Sequence, residues 1–97
     1  MSTQRDKPTT HSELVEHYHA IATDLDSKPG DLSRLLATDY RFVAELLVVA
    51  IGRGTVKMLI GELRRNLNRR ATYIHCEERN KTLQEVASTI ERLEAKA

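Results

Sequence analysis

Ten consecutive residues, Phe42–Ile51 (FVAELLVVAI), carry only one polar side chain, Glu45, and no other stretch of the chain is as apolar. The rest of the molecule must cover this run. Crossing a bilayer takes about 20 apolar residues, so a segment this short reads as the centre of a core and not as a membrane span. Its own periodicity does not separate helix from strand, because a run that is apolar on every side fits both. Val48, Val49 and Ile51 are β-branched and would suit a pleated sheet. The residues before the run favour a helix. Leu32, Leu35 and Leu36 lead into Phe42, Val43, Leu46, Leu47 and Ala50 in steps of three and four, which is one helical stripe. A helix over about 32–51 is the expectation.

The chain has 97 residues, enough for one domain. At that size only about 60–65% of the unfolded surface can be buried. Aromatic residues make up 4% and tryptophan is absent, so a core must come from Leu, Val, Ile and Ala, as in a small helical bundle. Two or three short amphipathic helices supply little cover for so apolar a central helix. Homodimerisation would complete the core.

The formal net charge of +1 specifies no partner, but its distribution is uneven. Residues 1–31 hold three cations and six acids, net −3, whereas residues 53–70 hold six cations and one acid, net +5. The single cysteine, Cys76, excludes an internal disulfide and fits a reducing compartment. The opening MSTQRDKPTT has no apolar segment after its charges, as a signal peptide would. A cytoplasmic location is expected.

Residues 1–9 are polar apart from the initiator, include Pro8 and read as a disordered tail, followed by a single helical domain over 10–97. Thr10 and Glu13 form a capping-box pattern, with Ser12 as an alternative cap. Leu14, Tyr18, Ile21, Ala22 and Leu25 then mark a helix over about 11–26, stopped by Ser27-Lys28-Pro29-Gly30. Asp31 is placed to cap the next helix, Gly52-Arg53-Gly54 to end it, and Thr55 to cap a third. That third helix, about 55–79, shows Val56, Ile60, Leu63, Leu67, Ala71 and Ile74 in steps of three or four. Residues 76–81 (CEERNK) offer no apolar anchor. Leu83, Val86, Ile90, Leu93 and Ala97 then resume a heptad-like spacing out of phase with Ile74. The chain either continues through a stutter or breaks near Asn80–Lys81. A break is preferred, because Thr82 and Glu85 repeat the capping box, which gives a final helix over about 82–96. Two heptads are too short to stand alone, so this helix must dock on something.

Several residues could bear a function. Arg64, Arg65, Arg69 and Arg70 crowd the third helix. At 100° per residue, Arg65 and Arg69 lie opposite the apolar stripe, with Arg64 and Arg70 flanking it. Such a surface could meet phosphates or an acidic protein, or be a solvated face balanced by the acidic first helix. Residues 44–63 superficially resemble a helix-turn-helix, but Arg53 falls where that motif places an apolar residue. His17 and His19 point some 200° apart on a helix and would not share a metal, and His75 and Cys76 lack a second thiolate. A nucleophilic Cys76 would need a base and an orienting group that spacing does not supply. Glu45, inside the apolar run, must reach the surface, pair with Arg41, or recognise a cation across an interface.

The expectation is therefore an all-α bundle of three to four helices completed by homodimerisation, with no cofactor, no metal and no enzymatic activity. It would be a small regulatory protein that binds and modulates another protein, such as a transcription factor, as an anti-activator, adaptor or inhibitor. Phe42, Glu45, Leu46, Val49, Leu83, Val86, Ile90 and Leu93 would form the partner-binding surface by helix-in-groove contacts. The alternative is a dimeric nucleic-acid-binding regulator that uses the basic helix over 64–70.

Overall fold

The computed structural model describes residues 8–70 and 76–96, and within them the side chains of all but 66–70 and 76. The described residues form four helices: α1 (His11–Asp26), α2 (Asp31–Arg53), α3 (Val56–Arg70) and α4 (Cys76–Lys96). Helix α1 packs mainly on α2, and α3 mainly on α4. The molecule measures 36 × 34 × 18 Å, so its thin dimension is under two helix diameters. No helix among the described residues is long and apolar enough to cross a membrane.

Local chemistry sets the helix ends. Thr10 is extended and its hydroxyl accepts the Glu13 backbone N–H at 3.1 Å, the first half of the expected box. The second half differs. The Glu13 carboxylate passes Thr10 and accepts from the Thr9 backbone N–H at 2.8 Å and the Thr9 hydroxyl at 2.9 Å. Those bonds, the backbone one foremost, hold the Glu13 carboxyl below the usual carboxylate range. Thr9, placed by the sequence in the tail, thus belongs to the cap, and residues 1–7 lie outside the described residues.

Asp31 does not cap α2. Gly30 occupies the cap position with φ 105° and no side chain, so Asp31 becomes the first helical residue and its charge faces the positive helix end. At the other end α2 runs through Gly52 to Arg53 and stops at Gly54, which is left-handed with φ 70° and ψ 31°. The Thr55 N–H bonds to the Ala50 carbonyl at 2.9 Å, and the Gly54 N–H to that of Ile51 at 3.4 Å. This is a Schellman closure, and it identifies Gly54 as the breaking glycine.

The core draws on all four helices: Leu14 and Tyr18 from α1, Val43, Ala44, Leu47 and Ala50 from α2, Val56, Leu59, Ile60 and Leu63 from α3, and Leu83, Val86, Ala87 and Ile90 from α4. Most of the stripes read from the sequence are therefore the buried ones. The last helix requires a correction. It begins at Cys76, six residues before Thr82, so Asn80 and Lys81 lie inside it and Thr82–Glu85 is not its start. The supposed core positions Ala71 and Ile74, like His75, lie outside the described residues.

Candidate interaction surface

Helix α2 presents two unlike faces. Val43, Ala44, Leu47 and Ala50 point inward and are buried. Successive residues turn by 100°, so Phe42, Glu45, Val48 and Val49 fall on the far side. Phe42 is 45% exposed, Val48 52% and Val49 51%, and Ile51 at the helix end and Met58 on α3 are also exposed. Leu46 lies at the border and is half-buried against the core. Scattered exposed apolar residues are ordinary, whereas Phe42, Val48 and Val49 share the outer side of one helix.

Glu45 stands among these side chains, exposed. The expected pair with Arg41 does not form, because Arg41 reaches across to Asp26 on α1. Among the described residues neither Glu45 nor Arg53 has an ion-pair partner. Both charges are left to face solvent on the outer side of α2.

The partner-binding set drawn from the sequence is thus divided by the fold. Phe42, Glu45 and Val49 lie together on the outer face of α2, with Leu46 at its edge. Leu83, Val86 and Ile90 are 2%, 3% and 0% exposed within the chain's own core, and Leu93 is half-buried against it. In this structure the α4 stripe is closed to another molecule. It docks on α1, α2 and α3, so the need of a short helix for cover is met internally.

Arginines 64 and 65 are also engaged within the chain. Arg64 donates to Glu91 on α4 at 2.7 Å, and Arg65 lies 3.2 Å from Glu62, one turn earlier. The side chains of Arg69 and Arg70 lie outside the described residues, as does the thiol of Cys76. No group of three or more His, Cys, Asp or Glu side chains among the described residues is arranged to hold a metal ion.

The sequence reading missed one polar feature entirely. Asp39 is 2% exposed on the inner side of α2, and Arg79 of α4 grips it with two bonds, Nε to Oδ2 and Nη2 to Oδ1, both 2.9 Å. This fork geometry is the strong form of a charged hydrogen bond, and it pushes the Arg79 guanidinium further up from an already high value. The signal was available: Asp39 sits four residues before Val43 and four after Leu35, on the apolar stripe of α2. Next to this pair the Asn80 side-chain oxygen is buried with no hydrogen-bond partner among the described residues.

Two further contacts fix α1, one against α4 and one against α2. His11 Nε2 lies 3.4 Å from the Ile90 carbonyl and 3.9 Å from the Glu94 carboxylate. Tyr18 and Tyr40 stack obliquely with ring centroids 5.4 Å apart. Burial, assisted by its neighbour Tyr40, pushes the Tyr18 phenol well above its ordinary value; burial and then Glu85 raise that of Tyr40. The inner side of α2 is therefore tightly determined, while its outer side is open. No family model, curated protein or solved structure matches this chain.

Proposed function

We propose that this chain is a small regulatory protein that acts by protein–protein interaction, with the outer face of α2 as its docking surface. One observation carries the reading: Phe42, Val48 and Val49 remain about half exposed on a helix whose opposite face is fully packed. A face of this kind fits a helix-in-groove or helix-against-helix contact, in which apolar side chains give affinity and nearby charges give selectivity. The modulated protein would be of the transcription-factor kind, and the chain its anti-activator, adaptor or inhibitor. Homodimerisation belongs to the same proposal, since covering α2 is what a second chain would do.

The nucleic-acid alternative rests on the basic stretch of α3. Arg64 and Arg65 already meet Glu91 and Glu62, so that reading has no observation of its own beyond charge. The decisive experiment compares wild type with Val49→Asp, both shown to be folded by circular dichroism, as immobilised bait. A protein held by wild type and lost by the variant supports the proposal. Equal retention by both would refute it. Binding to DNA or RNA that collapses with added salt, and is flattened by Arg65→Ala, would favour the alternative.

A further inference from the structure

The outer face of α2 is complementary to itself, and we infer that its occupant is a second copy of this chain laid antiparallel across it, with Val49 at the two-fold axis. The inference rests on the reading of that face as a docking surface and adds the partner, the direction and the register.

Glu45 and Arg53 stand four residues on either side of Val49. At 1.5 Å per residue they lie about 6 Å below and above it along the axis, and about 40° to either side around it. An isologous contact maps each residue onto its counterpart by one rotation, so residue positions summing to twice the axis position come level. With the axis at Val49, Glu45 of each copy is level with Arg53 of the other, and the pair is made twice. The same register sets half-buried Leu46 opposite Gly52 of the second copy. Gly52 has no side chain, and a Cβ there would meet nothing within 4 Å, so that spot has room for a leucine. Phe42 and Val48 border the contact and add apolar cover.

Other registers do not satisfy both charge and packing. Pairing Glu45 with Arg41 would compete with Asp26, which already holds Arg41. Pairing it with Arg34 would carry Val49 past the start of α2, opposite Gly30, and leave the apolar side chains unmatched. A parallel pairing would set Glu45 against Glu45 and Arg53 against Arg53, which like-charge repulsion opposes. The antiparallel register about Val49 uses two charges that have no ion-pair partner among the described residues.

The test is sedimentation equilibrium of wild type, Glu45→Arg, Arg53→Glu, an equimolar mixture of these two variants, and Val49→Asp. All the changes are at exposed sites, and circular dichroism confirms the fold of each. Wild type is expected to dimerise. Each charge variant alone should dimerise about tenfold or more weakly, because it makes two like-charged contacts. The mixture should recover wild-type affinity within about threefold, because a heterodimer of the two variants restores both opposite-charge pairs. A wild type that stays monomeric at about 100 μM would overturn self-pairing, and the docking reading would then be judged by its own bait experiment. A dimer that Val49→Asp disrupts but charge changes leave untouched would overturn the register and keep the face. A dimer insensitive to all of these variants would place the contact elsewhere and overturn the use of the face for self-association.

Discussion

Over residues 42–50 the two faces of α2 carry similar apolar side chains that have opposite fates. Inward, Val43, Ala44, Leu47 and Ala50 meet all three other helices; outward, Phe42, Val48 and Val49 meet solvent. Within this stretch side-chain type alone does not separate them, since valine occurs on both. Two acidic residues fall differently on them. Asp39 lies on the inner side and is drawn into the bundle by Arg79, whereas Glu45 lies on the outer side and is held by nothing within the chain among the described residues. The buried ion pair ties the inner face to α4 beside its apolar contacts, and the outer face has no such tie.

The sharpest way to break this comparison is Asp39→Ala. It would leave the Arg79 guanidinium mostly buried with its fork unanswered, a change that costs about 3–5 kcal/mol. Against a typical total of about 5–15 kcal/mol, the variant should show a much lower urea midpoint or no cooperative transition. The double variant Asp39→Leu with Arg79→Met removes both charges while keeping volume, and should recover most of that loss. If the double variant were as weak as the single one, the pair would matter for reasons other than unpaired charge.

Next in size is Leu47→Ala on the inner face. Leu47 is fully enclosed, so truncation should cost about 2–5 kcal/mol from lost burial plus the cavity left behind. Equilibrium unfolding in urea would measure it. A cost below about 1 kcal/mol would mean the inner face is looser than its burial indicates.

Much of this arrangement was legible in the sequence, and what was not has a common cause. The stripes of α1 and α3, the cap at Thr10 and the stop before Gly30 follow from spacing and turn chemistry, which act over a few residues. By spacing, residues 76–79 close the third helix and Asn80–Lys81 break the chain, because 76–81 contain no apolar anchor, yet all six form the first turns of α4. Their anchor is Arg79, held by a carboxylate forty residues away, and no local pattern reports a partner at that distance. Glu77 and Glu78 at the start of that helix also favour it through the helix dipole. Of the outcomes open to Glu45, the surface one holds: Arg41 is its nearest cation along the helix, but Asp26 across the hairpin takes it. The exposure of the outer side of α2 follows from its spacing, whereas the burial of the α4 stripe does not, because a heptad-like stripe looks the same whether it is covered by its own chain or by another.

A smaller effect is expected at Gly54, which lies on neither face. Its left-handed backbone carries no side chain, and Gly54→Ala should cost about 1–2 kcal/mol through that conformation alone. Nothing lies within 4 Å of where the methyl would go, so crowding adds nothing. Thermal unfolding would check the value. A loss well above that range would mean the turn between α2 and α3 also sets the packing of the two helix pairs.

The smallest expected change in stability carries the most weight for function. Val49→Ser and Phe42→Ser alter side chains already about half in water, so each should shift monomer unfolding by no more than about 0.5 kcal/mol. Measured in urea under dilute conditions, both variants should be close to wild type, in contrast to Leu47→Ala only two residues away. At concentrations where a partner or second copy is bound, the same substitutions should lower the apparent melting temperature, because a ligand of the folded state adds stability that grows with the logarithm of its concentration over its Kd. A concentration-dependent gap between wild type and Val49→Ser, absent when both are dilute, therefore separates a face kept apolar for binding from one that is merely exposed. If the gap is the same at every concentration, Val49 acts within its own chain, and the contrast between the two faces of α2 has no bearing on association.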